Sequence, residues 1–304
     1  MGTGTDVFIA GANDRHSNVR SVLDAFDLSA LGGSSVAIKA NFNSADPFPA
    51  STHRETLETV CSALLEQRPA TVTLAERSGM GNTRAVLEHA GVFALGREQG
   101  FTVIVLDEID RSGWQEIQSA GLHWKRGFFL AQAFHRADYV VQTCCLKTHR
   151  YGGHFTLSLK NMVGSIARRV PGVNYDFMNE LHNSPDQRLM IAEINRFCRS
   201  DIIVLDATEG FSSGGPDSGR LIRPGIIIAG KDRVAVDAVG VALLRSFGTI
   251  PVVMNGRIFG QEQIARAAAL GVGVGSAEDI RLVPLDNTAT AMAEQIQAQL
   301  DGEH

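Results

Sequence analysis

The sequence predicts an α/β fold, a mostly parallel sheet with helices on both faces. Apolar, β-branched runs alternate with helix-like segments from residue 35 to about residue 107, and this alternation is typical of strand–crossover–strand units. Polar groups gather just after the predicted strands, where open α/β sheets bind their ligands. With 304 residues, 44% of them hydrophobic, the chain is long enough for one large domain or two lobes.

The first half of the chain contains the clearest alternation. Strands are predicted at residues 7–10, 35–41, 71–76, 101–107 and 139–146, and helices at 18–26, 52–67, 83–89 and 128–136. Thr52 and Glu55 have the spacing of a capping box at the start of the second helix. Residues 114–125 fit neither period.

The second half continues the pattern around two long loops. Helices are predicted at 156–167, 187–199, 233–247, 261–270 and 289–300, and strands at 201–207, 224–229 and 280–285. Residues 208–219 form a glycine-rich loop, and residues 168–186 show no period and predict a long loop. The prediction is a single α/β domain over residues 1–304, with a candidate lobe boundary near 168–186 and one continuous sheet as the alternative.

Composition excludes several classes of protein. A net charge of -5 and a pI near 6.0 argue against a nucleic-acid binder. The sequence has no signal peptide, no basic block for a membrane surface and no apolar run of the roughly 18 residues that a span needs, so we expect a cytoplasmic protein. Four cysteines without a Cys-x-x-Cys spacing predict buried free thiols and no intrinsic iron–sulfur cluster.

The densest polar cluster follows the predicted strand at 139–146. Within residues 145–164 lie Lys147, His149, His154, Lys160 and Asn161, together with three glycines. A strand, a polar glycine-containing loop and a helix in this order are typical of ligand sites in open α/β sheets. We therefore expect most of the chain to be scaffold for this segment.

The histidines suggest a divalent metal. His149 and His154 lie on one predicted loop, His182 lies in the next, and Asp206 or Glu209 follows a strand. Two or three imidazoles and a carboxylate would suit iron, zinc or nickel with an open position, and the sequence does not distinguish these metals. The alternative is that the histidines bond only to loop backbone.

Lysines and polar residues suggest an anionic substrate. Lys39 and Lys147 end predicted strands and Lys160 follows the same loop, so the three are candidate catalytic or anion-binding groups. The alternative is that each lysine reaches solvent at the sheet edge. Asp237, among apolar neighbours, needs a partner if buried and is expected to support the site. Other groups expected to contact the substrate are Asn41, His53, Thr156, Asn161 and Gly215.

Several blocks of the chain resemble one protein family. They are similar, in kind and in order, to the bacterial and archaeal family called domain of unknown function 362 and include a Lys-Thr-His block followed by Leu-Lys-Asn-Met-Val-Gly. Many members carry a ferredoxin segment, and no such segment is recognised in this sequence. The matching blocks, within about residues 35–285, are 38–41, 51–53, 146–149, 156–164, 206–207, 215–219 and 232–237.

A fainter resemblance is to the nickel-pincer lactate racemase family. There an Ala-Asp strand leads to a histidine, a glycine-rich turn and a lysine that holds the cofactor, and here Ala137 and Asp138 lead to His149 and Lys160 in similar order. The early Asp-x-Thr-Arg motif of that family is replaced by Asn-Phe-Asn-Ser from residue 41. The resemblance implies a related fold and a site at the same sheet edge rather than lactate racemisation.

These observations lead to three hypotheses. The first is a metal-dependent oxidoreductase, lyase or isomerase acting on a small, anionic organic molecule, with His149, His154, His182 and Asp206 or Glu209 as ligands. The second is an enzyme with an organic or organometallic cofactor near Lys160 that transfers hydride or protons. The third is a non-catalytic module that carries a metal or cofactor, for which a redox partner is a candidate.

Overall fold

Strands and helices alternate along residues 4–302, the part of the chain that a computed structural model describes. The strands are β1 (Thr5–Ala10), β2 (Ser35–Lys39), β3 (Thr71–Glu76), β4 (Thr102–Val105), β5 (Trp114–Ile117), β6 (Phe128–Ala131), β7 (Tyr139–His149), β8 (His154–Thr156), β9 (Ile202–Gly214), β10 (Gly219–Ile222), β11 (Ile226–Gly230) and β12 (Ile280–Pro284). The helices are α1 (Arg15–Asp24), α2 (Arg54–Glu66), α3 (Thr83–His89), α4 (Val92–Gln99), α5 (Gln132–His135), α6 (Ser158–Asn161), α7 (Phe177–Asn183), α8 (Gln187–Ile194), α9 (Arg233–Ser246), α10 (Pro251–Met254), α11 (Glu262–Ala269) and α12 (Asn287–Asp301).

One large sheet organises the fold. Its strand order is β12-β1-β11-β9-β7-β2-β3-β4, with β10 paired to β9 and β8 paired to β7. Strands β9, β7, β2, β3 and β4 are mutually parallel, and of the eight strands in this order only β11 runs against its neighbours. The predicted α/β class with a mostly parallel sheet is therefore confirmed. The sheet continues on both sides of residues 168–186.

Helices cover both faces of the sheet because its central strands are apolar on both sides. Along β9, Ile203 and Leu205 pack into a cluster with α9 and α12, whereas Ile202 and Val204 pack into a second cluster with α1 and α2. Alternate residues of a strand point to opposite faces, so each face has its own core. A third cluster forms around the hairpin of β5 and β6.

Two short segments differ from the predictions because strand pairing determines their structure. The predicted helix at 128–136 begins as strand β6, whose four residues are buried against β5, and only α5 is helical. The predicted helix at 156–167 is divided because residues 154–156 pair with β7 before α6 begins. Tertiary pairing here overrides the local pattern.

Two predicted loops contain regular structure. Helix α7 occupies the centre of residues 168–186, with Asp176 as its N-cap. Within 208–219, β9 continues to Gly214, and β10 begins at Gly219. The carboxyl end of β9 therefore lies beside the carboxyl end of β7, where the polar segment of residues 145–164 begins.

Two general features concern the apolar content of the helices and the state of the cysteines. Within residues 4–302, no helix has both the length and the apolar content that crossing a bilayer requires. All four cysteines are buried free thiols, as predicted, and burial raises the pKa of the Cys145 thiol to about 12. A thiol with so high a pKa is a poor nucleophile.

Candidate active site at the carboxyl ends of the central strands

The sheet has a switch point between β2 and β7. After β2 the chain builds β3 and β4 on one side, and it then returns to place β7 and β9 on the other side. Connections that leave two adjacent parallel strands in opposite directions open a crevice at their carboxyl ends. The candidate site lies in this crevice.

The crevice contains a cavity with two parts. The inner chamber, with a volume of about 50 Å³, reaches down to the strand ends, and the outer chamber, about 580 Å³, opens beside α7. The volume of the outer chamber suits a small organic ligand. Both chambers share one set of lining residues, which makes them continuous: Asn43, Arg77, Gly79, His149, Lys160 and Pro216.

Strand β7 delivers two side chains to the inner chamber. Lys147 and His149 are two residues apart, so they point to the same face of the strand. Strand β8 folds back against them and sets Thr156 directly opposite Lys147. Lys147 and His149 of the Lys-Thr-His block, together with Thr156, thus form a wall of three polar side chains that line the inner chamber.

The short helix α6 delivers Lys160 and Asn161. Its N-terminus has no side-chain cap of its own. Instead, the buried carboxylate of Asp237 on α9 accepts hydrogen bonds from the backbone N–H of Ser158 at 2.7 Å, from the Ser158 hydroxyl at 2.5 Å and from the N–H of Leu159 at 3.2 Å. Burial raises the pKa of Asp237 to about 7, and these hydrogen bonds oppose the rise. The support predicted for Asp237 therefore acts through the backbone of α6.

A chain of amide contacts joins the base of the inner chamber. The Lys147 ammonium donates to Asn41 Oδ1 at 2.9 Å and also to the carbonyl of Ala50. Asn41 Nδ2 donates to Asn161 Oδ1 at 3.0 Å, and Asn161 Nδ2 donates to Gln142 Oε1 at 3.0 Å. Because these amides satisfy one another, they hold Lys147 in place rather than presenting free groups to a ligand.

Lys39 forms a buried ion pair with a residue from the neighbouring strand. Its ammonium lies 2.6 and 2.8 Å from the two carboxylate oxygens of Glu76, which ends β3. Glu76 also accepts from the backbone N–H groups of Phe42 and Arg77. The pair contributes no net charge to the chamber. Gly164 leaves room for it, because a Cβ there would lie 2.6 Å from Lys39 Cε.

Arg77 brings a fixed positive charge to the junction of the two chambers. Its guanidinium donates to the carbonyls of Ile166 and Val163, each at 2.8 Å, and to that of Ser78 at 3.2 Å. Carbonyl oxygens stabilise the cation without neutralising it. The inner chamber therefore carries an excess of positive charge from Arg77, Lys147 and Lys160.

Lys160 stands at the junction of the chambers without a partner. Within residues 4–302, its ammonium forms no hydrogen bond and no ion pair, although the side chain is only 8% exposed. Burial, together with the charges of Lys147 and Arg77, lowers the pKa of Lys160 to about 7. Near neutral pH this amine is thus divided between its charged and neutral forms.

Two histidines face the cavity in their neutral form. Burial and the charges of Lys160 and Lys147 hold the pKa of His149 far below its ordinary value, and burial lowers the pKa of His182 to about 4. His182 lies on α7 and its Nδ1 bonds to Gln187. The buried His149 Nδ1 and Thr156 Oγ1 have no hydrogen-bond partner in the described chain. Such atoms call for a ligand or water.

The structure brings together eight of the residues predicted from sequence to form the site, and it separates five. Those that line the cavity are Lys39, Asn41, Lys147, His149, Thr156, Lys160, Asn161 and His182. His53 instead caps α2, where its Nδ1 accepts the N–H of Glu55 at 3.2 Å. The helix therefore begins one residue later than the predicted capping box.

Gly215 packs against β7 rather than facing the cavity. Its N–H donates to the carbonyl of Ser218 at 2.6 Å, so it is not free to bind an anion. A Cβ at this position would lie 2.0 Å from the carbonyl oxygen of Thr148. The glycine serves the close approach of two backbones, and its neighbour Pro216 is the residue that lines both chambers.

The predicted carboxylate ligands have other partners. Asp206 accepts from Arg15 Nε at 3.0 Å and from the Thr56 hydroxyl at 2.5 Å, on the side of the sheet that α1 and α2 cover. Glu209 pairs with Arg223 at 2.9 Å. His154 sits opposite His149 in the ladder but lines neither chamber.

The five predicted ligands therefore do not form one metal site. Among the residues of the described range, no group of three or more His, Cys, Asp or Glu side chains is arranged to hold a metal ion. The two imidazoles that do face the cavity have Arg77 and Lys160 as neighbours, and these cations oppose a divalent ion. These two imidazoles do not by themselves complete the predicted resident metal site.

Glu76 and Arg77 were not among the residues predicted for the site. Both lie at the carboxyl end of β3, next to Lys39 on β2. The rule that selected Lys39 and Lys147, polar side chains at strand ends, also applies to this pair. A buried glutamate in a β-branched run was the available signal, because such a residue needs a cationic partner.

Comparison with known proteins identifies a family and structures of similar fold. No curated protein matches this chain. The lactate racemase apoprotein from Thermoanaerobacterium thermosaccharolyticum is similar in structure, with a TM-score of 0.49 and 10% sequence identity over 95% of this chain and 85% of that one. The model of the family described as domain of unknown function (DUF362) matches residues 36–242, more than half of the chain and all of the strands that build the cavity. The chain belongs to this family, as its sequence predicted.

Proposed function

We propose that the protein is an enzyme that acts on a small organic anion in the two-chamber cavity, with the amine of Lys160 as its reactive group. The observation that carries this proposal is the unpartnered ammonium of Lys160 at the junction of the chambers. Lysines that are desolvated and lie beside other cations are typical acid–base or nucleophilic groups.

The charge of the inner chamber favours an anionic substrate. Arg77, Lys147 and Lys160 lie within it, and its one acidic residue, Glu76, is already paired with Lys39. Because the chamber is buried, an anion there gains more from these charges than it would at the surface. A volume of about 50 Å³ suits a carboxylate-sized group, with the remainder of the molecule in the outer chamber.

Proton transfer is the reaction class that this setting supports best. A neutral Lys160 amine can accept a proton from a substrate carbon next to a carboxylate or carbonyl group and return it as ammonium. The amine is effective near neutral pH because its pKa lies at about 7. Arg77 and Lys147 would stabilise the negative charge that develops on the substrate.

Hydrogen exchange in deuterated water tests the proposal without knowledge of the natural substrate. Small 2-hydroxy, 2-oxo and 2-amino acids are incubated with the protein, and deuterium at the carbon next to the functional group is followed by NMR. We expect exchange with at least one acid, a rate that rises with pH around 7, and its loss in Lys160→Met. Absence of exchange across the panel would contradict the reaction class. Binding of an acid without exchange would favour a carrier role.

A metal-assisted reaction is the second candidate. It is favoured by the unpartnered Nδ1 of His149 and by the presence of His182 on the same chamber. These two imidazoles would hold the ion, the substrate would have to complete its ligands, and the ion would polarise a bound oxygen. Elemental analysis of the purified protein, together with His149→Ala and His182→Ala, tests it: unchanged metal content in both variants would rule it out.

A further inference from the structure

We propose that Lys160 forms a covalent imine with small 2-oxo acids, whose carboxylate is bound in the inner chamber. This inference rests on the proposed function and adds that, with one class of substrate, the same amine bonds to a carbon atom instead of accepting a proton from it. It is drawn from four polar groups that line the inner chamber: Lys147, His149, Thr156 and Lys160.

Three unpartnered side chains line the inner chamber. Thr156 and His149 are each 6% exposed, and within residues 4–302 their buried atoms Thr156 Oγ1 and His149 Nδ1 have no hydrogen-bond partner. The Lys160 ammonium, on a side chain that is 8% exposed, has no hydrogen bond within the same range either. Buried polar atoms without partners are rare in native proteins. Two such atoms beside an unpartnered ammonium in one small chamber indicate a built site for a polar ligand.

The groups divide into two roles. Lys147 uses two of its N–H groups on Asn41 and Ala50, which leaves a third, and the Thr156 hydroxyl opposite it is a further donor. These two can hold a carboxylate. Lys160 and His149 line both chambers, so they lie beside the atoms that follow the carboxylate in the substrate.

In a 2-oxo acid the atom that follows the carboxylate is a carbonyl carbon. The neutral amine of Lys160 attacks this carbon to form a carbinolamine. The carbonyl oxygen then leaves as water with the two protons that the amine nitrogen gives up, and a carbon–nitrogen double bond remains. The step needs no oxidant or reductant. His149 Nδ1 is free to bond to the departing hydroxyl.

Local charge favours the neutral amine over an ion pair. In the described part of the chain no carboxylate contacts Lys160, whereas Lys39, another lysine at this edge, is held by Glu76 at 2.6 Å. Desolvation together with neighbouring cations is the setting in which lysines act as imine-forming nucleophiles.

Reductive trapping tests the inference. The full chain is incubated with pyruvate or glyoxylate and sodium borohydride, and the products are analysed by intact mass and peptide mapping. We expect one reduced adduct per chain, located on Lys160. Because loss of a charged hydrogen bond costs roughly tenfold or more in binding, Lys147→Met should lower the yield about tenfold, as should replacing pyruvate by acetaldehyde.

Two controls separate the outcomes. Lys160→Arg should abolish the adduct, and Lys125→Arg, at an exposed lysine, should leave it unchanged. Mapping in the wild-type protein gives an answer even where a variant does not fold. Adducts spread evenly over surface lysines, or none, would overturn the inference. Suppose that no specific adduct forms. If pyruvate still raised the Tm of the wild type but not of Lys147→Met, the proposed anion site would stand without the imine. If pyruvate did not raise the Tm, the anion site and the imine would both be contradicted.

Discussion

The carboxylate of Asp237 lies 2.7 Å from the backbone nitrogen of Ser158, two residues before Lys160. This contact replaces the missing N-cap of α6 by a side chain from another helix. Asn195 holds the same turn from the other side, since its amide donates to the carbonyl of Leu159 at 3.0 Å. The position of Lys160 is therefore set by Asp237 on α9 and by Asn195 at the end of α8 rather than by its own short helix.

Asp237→Ala should destabilise the protein and displace Lys160. The substitution leaves the backbone N–H groups of Ser158 and Leu159 buried without an acceptor and leaves the Ser158 hydroxyl only its longer bond to the carbonyl of Arg233, which costs about 3 kcal/mol in the free energy of unfolding. Asp237→Asn keeps one acceptor oxygen and the same volume, so we expect a loss of about 1 kcal/mol. Denaturant unfolding measures the difference. Equal losses in the two variants would show that the hydrogen bonds to α6 are not what Asp237 contributes.

A measurement at the site shows whether Asp237 positions Lys160 or only stabilises the fold. The pH at which borohydride trapping or hydrogen exchange reaches half its maximum reports the ionisation of Lys160. We expect this pH to rise toward that of an ordinary lysine in Asp237→Ala, because the displaced amine becomes more hydrated. A variant that is less stable but keeps the midpoint near 7 would contradict a positioning role.

Lys160→Met should stabilise the protein at neutral pH. Below pH 7 this lysine is charged in both the folded and the unfolded chain, so the full cost of burying its charge is present. Between 7 and 10.5 the folded state binds fewer protons than the unfolded state, and the stability of the wild type rises with pH. The gain from removing the amine should thus be on the order of 4 kcal/mol at pH 6 and about 2 to 3 kcal/mol smaller at pH 9.

Unfolding of both proteins at pH 6 and pH 9 measures this change. Lys125→Met, at an exposed lysine, is the matched control and should show no such dependence on pH. A destabilised Lys160→Met would mean that the amine has a compensating partner. In that case the site would be structural rather than reactive.

Glu76→Gln should be strongly destabilising, because it leaves the Lys39 ammonium buried without a counter-charge. Breaking one side of a buried pair costs about 3 to 5 kcal/mol. The double variant Lys39→Met, Glu76→Gln removes both charges and should recover most of the loss. Glu108→Gln, which breaks the exposed pair with Arg84, is the control and should have little effect. A small effect of Glu76→Gln on the urea midpoint would show that Lys39 is neutral in the folded protein.

The strand-end rule predicts part of the lining of the cavity. Lys39 and Lys147 follow apolar runs, and parallel strands bring such residues to one edge. His149, Thr156 and Lys160 lie in the polar segment of residues 145–164, and they line the same inner chamber. The long, periodic elements of the sheet were predictable for the same reason, since burial on both faces leaves a strong apolar signal.

The rule could not say which partners a strand-end residue finds. Asp206 ends an apolar run as Lys147 does, but alternation along β9 places it with Ile202 and Val204 on the face that α1 and α2 cover, where Arg15 and Thr56 bind it. Contacts of this kind depend on how helices distant in sequence pack on the sheet, and a single sequence does not contain that information.

Gly153→Ala should impair the site with little loss of stability. A Cβ at this position would lie 2.5 Å from Lys160 Cε and 3.0 Å from His149 Nδ1, so the methyl group would occupy the space beside the reactive amine. The lysine chain is flexible and can move aside, which keeps the stability change below about 1 kcal/mol, whereas displacing the amine should lower trapping or exchange about tenfold. Gly275→Ala, whose Cβ would meet no heavy atom of the described chain within 4 Å, is the control. Equal rates in Gly153→Ala and wild type would place the reacting atoms away from the junction of the chambers.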